Sequence, residues 1–203
     1  MGLILAYDTE TTGLPDFRAP SEAPHQPHMV QLGAVLVDEQ TRKIEASLDL
    51  IIHPKDWEIS DEIAKIHGIT HDKAFALGVD ENVALNLLMQ LWDCCDYRLA
   101  HNEPFDARIV RIGLMRYEFP GNEIEQFKVG KTACTQQLAT PIMKLPPTPK
   151  MIAAGFNKNK SANLTEAFEH FTGKSMQNAH SAMADVMACL EVYWAIQDLQ
   201  KAA

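Results

Sequence analysis

The sequence is poor in cysteine and lacks a long apolar run. Its four cysteines, Cys94, Cys95, Cys134 and Cys189, have the spacing of neither a zinc site nor a disulfide framework. This favours free thiols in a reducing cytosol. No apolar run reaches the roughly 18 residues of a membrane-spanning helix. The opening segment MGLILAYD lacks a basic region and soon reaches an acidic residue, so it predicts a strand rather than a signal peptide. We therefore expect a cytoplasmic protein.

Basic residues are also scarce, because 18 Lys and Arg stand against 27 Asp and Glu, for a formal net charge of −9. This balance argues against a protein that holds nucleic acid by bulk electrostatics. It does not exclude a nuclease whose acidic residues hold cations, since those cations then contact the phosphate. No internal repeat or low-complexity segment is visible. The length of 203 residues and the hydrophobic content of 46% predict a single domain over residues 1–203.

Hydrophobic patterning predicts three strands at the start of the chain, followed by helices that alternate with short strands. The predicted strands are 3–7, 29–37, 44–52, 97–100 and 127–133. The predicted helices are 60–67, 80–92, 104–117, 164–171 and 181–200. Segment 141–160 contains four prolines and four lysines but no acidic residue, and we expect it to be an irregular loop insertion. The order of elements favours an α/β fold with a mixed sheet whose first three strands form an antiparallel meander.

Two acidic residues end the first predicted strand. Asp8 and Glu10 are two residues apart, so both side chains lie on one face of the strand. Neighbouring carboxylates repel each other unless a divalent cation lies between them, and Mg²⁺ prefers such oxygen ligands. The Thr-Thr-Gly that follows Glu10 also fits an ordinary polar strand end entering a turn, so this pair alone does not decide between the two interpretations.

Three further candidates lie in the second half of the chain. Asp106 falls in the first turn of the helix opened by Pro104, where the helix dipole alone would favour a carboxylate. Asp185 lies near the start of the last helix, which is apolar on nearly every side and therefore expected to be buried. A buried carboxylate needs a partner or a metal, although the helix dipole offers a simpler explanation here as well. His180 precedes this helix and could act as a general base beside a metal-held water, or could be structural.

Together these segments resemble the motifs of the DEDDh (DnaQ-like) 3′–5′ exonuclease family of the ribonuclease H-like superfamily. The similarity lies in DTETTGL at 8–14, IHGIT at 66–70, AHNEPFD at 100–106 and HSAMAD at 180–185. Each motif alone is weak, but the ordered set extends over nearly the whole chain and is specific. The appearance is most similar to small stand-alone exonucleases of the exonuclease X or phage type.

The resemblance implies a five-stranded mixed sheet flanked by helices. It also implies that Asp8, Glu10, Asp106 and Asp185 bind two divalent cations, Mg²⁺ or Mn²⁺, and that His180 is the base. The implied reaction is two-metal-ion hydrolysis that releases nucleoside monophosphates from the 3′ end of single-stranded DNA, with RNA possible. The implied partner is therefore a nucleic acid with a free 3′ end.

Contacts with the terminal nucleotide are implied by the same resemblance. The residues concerned are Thr9, Thr12, Gly13, Leu14, His67, Asn102 and Phe105. Ordinary structural roles, such as a turn glycine, a core leucine, a helix-end histidine or a helix cap, would explain these residue types equally well. The lysines of segment 141–160 could follow the strand backbone, or they could simply belong to a solvated loop.

Alternatives remain within and outside the family. An exoribonuclease or a polymerase-associated proofreading subunit would carry the same motifs. An endonuclease or strand-transfer enzyme of the same fold is not expected to have His180 in this ordered set. A non-catalytic binding module is disfavoured because four convergent carboxylates would repel one another without a purpose.

Overall fold

The computed structural model describes residues 2–176 and 179–202. The strands are β1 Leu3–Thr11, β2 Met29–Asp38, β3 Ile44–Ile51, β4 Tyr97–Ala100 and β5 Thr132–Cys134. The helices are α1 Asp61–His67, α2 His71–Leu77, α3 Glu81–Asp93, α4 Glu103–Arg116, α5 Gly121–Val129, α6 Thr135–Met143, α7 Pro149–Ala153, α8 Leu164–Thr172 and α9 Ala182–Ala202. Within the described residues, no helix combines the length and the apolar character needed to cross a membrane.

The strands form one mixed sheet in the order β3-β2-β1-β4-β5. β1 pairs antiparallel with β2, and β2 pairs antiparallel with β3, as the predicted meander requires. β1 pairs parallel with β4, and β4 pairs parallel with β5. Because three parallel strands end at one edge of the sheet, the segments that follow β1, β4 and β5 lie near one another. The predicted α/β fold with a five-stranded mixed sheet is confirmed.

Helices cover both faces of the central strands. On β1, Leu5 and Tyr7 contribute to a core that also contains residues of α3 and α4. Ile4 and Ala6 point to the other face and belong to a cluster with Val186 of α9. This alternation follows from the two-residue period of a strand. β2 is buried along its whole length because it is covered on both sides.

Two of the predicted strand boundaries are wrong. β1 continues to Thr11 because its pairing with β2 extends that far, so Asp8 and Glu10 lie within the strand and not at its end. The predicted strand 127–133 begins too early. β5 begins only at Thr132, and residues 127–129 belong to the end of α5. Ile124 and Phe127 of α5 are buried, and their three-residue spacing suits one side of a helix.

Short helices account for the other differences. Segment 141–160 is not wholly irregular, because α6 extends into it and α7 begins at the N-cap Thr148. α2 was not predicted, although Thr70 caps it by accepting a hydrogen bond from the Lys73 N–H. Such one- or two-turn helices carry too few residues for a clear hydrophobic period. The Ser60 cap of α1 and the left-handed Gly68 that ends it are both confirmed.

The last helix is only partly enclosed. α9 packs its Val186 and Leu190 side against the sheet, and Val192 and Ile196 against α6 and α8. The expectation of burial on nearly every side is wrong at Met187 and Leu199, whose side chains are 40% and 54% exposed. Met187 and Leu199 face solvent because the sheet, α6 and α8 leave part of the helix surface uncovered.

A buried ion pair fixes the start of α4 against the sheet. Arg98 of β4 is 1% exposed and donates from Nη2 to Glu103 Oε1 at 3.1 Å. The Tyr7 hydroxyl donates to the same oxygen at 3.1 Å. Arg98 also donates to the carbonyl of Phe127, and its guanidinium lies 3.8 Å from the centre of that ring. The pair therefore joins β1, β4, α4 and α5, and Glu103 itself belongs to the motif AHNEPFD at 100–106.

Removing one partner of this pair should be strongly destabilising. Glu103→Ala leaves the Arg98 charge buried without its counter-ion, so we expect the free energy of unfolding to fall by about 3–5 kcal/mol. Urea denaturation measures this loss. The matched control is Glu125→Ala, which breaks the exposed Lys128–Glu125 pair and should cost less than about 1 kcal/mol. Equal losses in the two variants would contradict the role given to the buried pair.

Candidate active site

The first two candidate acids lie in the middle of the sheet. Asp8 and Glu10 share the face of β1 that carries Ile4 and Ala6, and this face packs against α9. Both carboxylates are partly buried. On the neighbouring strand β2, Asp8 stands opposite Gly33, and Glu10 stands opposite Gln31. The surroundings of the two acids are therefore set by β2 and by the start of α9.

β2 holds the first turn of α9 close to these acids. A Cβ atom at Gly33 would lie 2.6–2.8 Å from backbone atoms of Ala182 and Met183, so only glycine permits this approach. Gln31 Oε1 accepts a hydrogen bond from the Ala182 N–H at 3.2 Å, while its Nε2 donates to Asp49 at 2.7 Å. Sequence reasoning missed both residues. The only indication in the sequence was Gly33 itself, because a glycine inside an apolar strand often marks a close approach of another backbone.

The third acid is held from the opposite face of β1. Asp106, in the first turn of α4, is 2% exposed. Its Oδ1 accepts hydrogen bonds from the Thr9 N–H at 2.9 Å and from the Thr9 hydroxyl at 2.8 Å. Thr9 was predicted to contact substrate, but its side chain is 5% exposed and is engaged with Asp106. In this structure both the N–H and the hydroxyl of Thr9 are therefore bonded to Asp106, and its contact with substrate stays a prediction.

The remaining candidates complete a potential metal site. Ligand atoms of Glu10, His180 and Asp185 all lie within 4.8 Å of one another. Asp185 Oδ1 is buried and has no hydrogen-bond partner among the described residues. A buried acceptor without a donor is costly, and a cation would satisfy it. His180 is exposed and has a left-handed backbone, with φ of 67°, just before α9 begins.

Burial raises the pKa of every acid in the cluster, and repulsion from other cluster acids adds to this for Asp8 and Glu10. Burial, helped by the charge of Asp185, raises the pKa of Glu10 to about 7. Burial likewise raises the pKa of Asp185 to about 6 and that of Asp106 to about 8. The pKa of Asp8 is raised by burial and then by the charges of the other three. The four carboxylates thus interact as one cluster, and they resist full ionisation unless cations neutralise them.

The loop after β1 contains three of the predicted substrate contacts. Leu14 is 86% exposed, which rules out the alternative that it is a core leucine. Thr12 is tied to His28 by two hydrogen bonds of 3.0 Å, one from its own N–H to the His28 carbonyl and one to its hydroxyl from the His28 N–H. At Gly13, a Cβ would meet nothing within 4 Å, so no steric constraint requires glycine there. Leu14 is therefore the one of the three whose side chain extends freely into solvent.

The last three predicted contacts lie in two other segments. His67 is buried at the end of α1, where its Nδ1 accepts from the Ile69 N–H at 3.1 Å and its Nε2 has no partner among the described residues. Burial and the charge of His180 lower its pKa, which links α1 to the acid cluster. Asn102 is exposed in a left-handed conformation, and its side chain makes no capping bond to α4. Phe105 packs against the core and is only partly accessible.

The sequence profile of the RNase T exonuclease family matches residues 5–193. No curated protein sequence gives a significant match. In structure, the chain is similar to *E. coli* exonuclease I in complex with a dT13 oligonucleotide, with a TM-score of 0.72, 19% identity and coverage of 97% of this chain and 41% of that one.

Two further solved structures are similar. The zinc-bound form of the *E. coli* exonuclease I–ssDNA complex has a TM-score of 0.67 and 19% identity, with 98% of this chain and 41% of that chain covered. A moderately thermophilic exonuclease I from *Methylocaldum szegediense* has a TM-score of 0.72 and 21% identity, with 99% and 41% covered. This likeness confirms the fold. The chain spans about two fifths of the length of these proteins, as the 41% coverage states.

Adding a methyl group at Gly33 should displace the start of α9. Because the new Cβ would overlap backbone atoms, we expect Gly33→Ala to lower the free energy of unfolding by about 1–3 kcal/mol, as other overpacked sites do. It should also weaken Mg²⁺ binding, measured by calorimetry, because Asp185 moves away from Glu10. Gly121→Ala is the control, since a Cβ there meets nothing within 4 Å. Unchanged Mg²⁺ affinity in Gly33→Ala would refute the positioning role.

The stability of the metal-free protein should fall as pH rises. The cluster acids have folded-state pKa values of about 6 to 8, above their unfolded values, so the folded state binds more protons. Their stabilising contribution is complete below about pH 4, the unfolded pKa, and is lost as pH rises through the folded values. We expect the melting temperature in EDTA to fall between about pH 5 and pH 8, and Mg²⁺ to restore it most at the upper end. A flat or rising profile in EDTA would contradict the raised pKa values of the cluster acids.

Proposed function

Because the chain belongs to the RNase T exonuclease family, we propose that it removes nucleotides stepwise from the 3′ end of single-stranded DNA, releasing nucleoside monophosphates. The observation that carries this proposal is the cluster of Asp8, Glu10, Asp106 and Asp185 with His180 beside it. Support for DNA comes from the similar exonuclease I structures, which include complexes with dT13 and dA16 oligonucleotides. A single strand is favoured because a terminal nucleotide must leave its duplex partner to reach acids held within the sheet.

The exonuclease family depends on divalent metal ions. In this chain the four acids would hold two of them, Mg²⁺ or Mn²⁺, because their ligands are the carboxylate oxygens that such cations prefer. The partnerless buried oxygen of Asp185 and the raised pKa of Glu10 both fit cation ligands in the ion-free state. When bound, the cations would supply charge stabilisation at the scissile phosphate and lower the pKa of a bound water.

The protein's own groups would perform the remaining tasks. His180 lies outside the sheet in an exposed loop, and its ring is close to the carboxylates of Glu10 and Asp185. It would accept the proton of the attacking water, since imidazole is suited to general base catalysis near neutral pH. Thr9 would keep Asp106 oriented through its two hydrogen bonds. Gly33 would keep α9, and thus Asp185, at the correct depth.

The residues around the acids would receive the terminal nucleotide. Leu14, which is freely exposed just after β1, would pack against the terminal base. Asn102, exposed and without a capping bond, would contact the sugar or phosphate. The backbone of Thr12 and Gly13 would border the same site, and His67 and Phe105 would support it from the buried side.

Degradation of an end-labelled strand tests the proposal. With Mg²⁺ and a 5′-labelled single-stranded DNA, we expect a ladder that shortens stepwise from the 3′ end and that disappears in EDTA. Asp8→Asn should abolish the ladder, and His180→Ala should lower kcat by about 10²–10⁴-fold because a general base is lost. Asp56→Asn, at an exposed acid outside the cluster, is the matched control and should leave the rate unchanged.

Three other outcomes would each replace part of the proposal. Faster shortening of an RNA of the same sequence would change the substrate to RNA. Cleavage of a circular single strand would indicate an endonuclease. Full activity of Asp8→Asn would overturn the catalytic role of the acid cluster.

A further inference from the structure

A groove lined mainly by residues with polar side chains lies outside the acid cluster. It has a volume of about 620 Å³ and lies between α6 and segment 157–161. Its described lining residues supply amides, hydroxyls and one ammonium group, and none of them carries a carboxylate; they include Gln136, Gln137, Thr140, Asn157, Lys158 and Asn159. In a chain with a net charge of −9, a groove of this composition is suited to an anionic ligand.

The groove lies at the same edge and on the same face of the sheet as the acids. α6 begins at Thr135, directly after β5, and β5 is parallel to β4 and β1. Its first turn is therefore at the edge where those strands end. α6 also packs against α9 through Ala139 and Leu138, on the face that carries Asp8 and Glu10. β1 and β5 are two strand spacings apart, which is about 10 Å.

One histidine is hydrogen-bonded to both walls of the groove. His101, which follows β4, has Nδ1 2.9 Å from the Thr135 hydroxyl and Nε2 3.0 Å from the Ala162 carbonyl. Since a carbonyl can only accept, Nε2 donates to Ala162 and Nδ1 accepts from Thr135 in the neutral ring. Ala162 is fully buried, and Lys160 is fixed by an ion pair with Glu166. Both walls are thus hydrogen-bonded to His101, which directly precedes Asn102.

A lysine lines this groove, and an exposed aromatic residue lies beside it in the sequence: Lys158 is in the lining, and Phe156 directly precedes the lining residue Asn157. Segment 141–160 has four lysines and no acidic residue. Lys158 is exposed and makes no ion pair among the described residues, unlike Lys160. Phe156, two residues before Lys158, is 61% exposed. Proteins that bind single strands combine such cationic, donor-rich grooves with exposed aromatic rings, on which bases stack.

From this arrangement we propose that the groove binds the phosphodiester backbone of the substrate strand a few nucleotides upstream of its 3′ end, and that Phe156 stacks on a base there. The inference rests on the proposed function and extends it. Lys158 neutralises a phosphate, and the side-chain amides and the Ser161 hydroxyl donate to phosphate oxygens. The groove increases the affinity for long strands but takes no part in the hydrolysis of the terminal bond.

Binding measurements in EDTA test the groove without relying on catalysis. Fluorescence anisotropy would follow a 5′-labelled single-stranded DNA of about 12 nucleotides, a length within the range that such grooves bind. We expect Phe156→Ala to weaken binding about tenfold, as lost stacking does. Lys158→Ala should weaken binding and reduce the slope of log affinity against log salt concentration by about 0.7, the contribution of one phosphate contact on a single strand.

The control is Lys131→Ala, which removes an exposed lysine just before β5, at the opposite edge of the sheet. It should leave both the affinity and the salt slope unchanged. In turnover with Mg²⁺, the two groove variants should raise KM for the long strand but not for a dinucleotide.

The two proposals fail in distinguishable ways. If Lys158→Ala and Phe156→Ala bind the strand as the unaltered protein does, or if the unaltered protein does not bind it, the groove proposal is overturned whatever the enzyme degrades. If the strand binds through the groove but is not shortened in Mg²⁺, the proposed exonuclease function fails while the groove remains.

Discussion

The burial of four neighbouring carboxylates is the constraint around which the rest of the structure is arranged. Asp8 and Glu10 come from a strand, Asp106 from a helix on one face of the sheet, and Asp185 from a helix on the other. Different contacts hold the two helical acids in place. Asp106 is fixed by two hydrogen bonds from Thr9, and Asp185 is brought inward because Gly33 lets α9 touch the sheet backbone. Without cations, the structure tolerates this cluster only by keeping part of it protonated.

The sequence predicted most of the secondary structure and the members of the acid cluster. The strands β1 to β4 and the helices α3, α4, α8 and α9 were predictable because each has a long apolar period or a clear cap. Asp8 and Glu10 could be assigned to one face from their spacing alone. That Asp106 and Asp185 would join them came from the resemblance of ordered motifs, since a period along the chain carries no information about contacts between distant elements.

What could not be predicted depends on tertiary contacts. Thr9 was assigned to substrate because it lies inside the first motif, whereas the folded chain buries it against Asp106. Gln31 and Gly33 have no motif of their own, and their importance comes from the helix that packs on them. The members of the acid cluster were therefore easier to find than the residues that position them. Short helices such as α2 and α7 were missed because one or two turns are too short to show a period.

The contact between Gln31 and Ala182 also has a consequence for how the protein folds. Its two residues are 151 positions apart in the sequence, and the contact holds the start of α9, which carries Asp185, against β2, the strand next to the one that carries Asp8. Contacts of such long sequence separation are formed late and slow the folding of a chain, because a large loop must close first. During synthesis, β1 and β2 are made first, and Asp8 and Glu10 stay uncovered until α9 has been made and packs against the sheet. The acid cluster is thus completed in one of the last steps of folding, because Asp185 joins it only when α9 packs against the sheet.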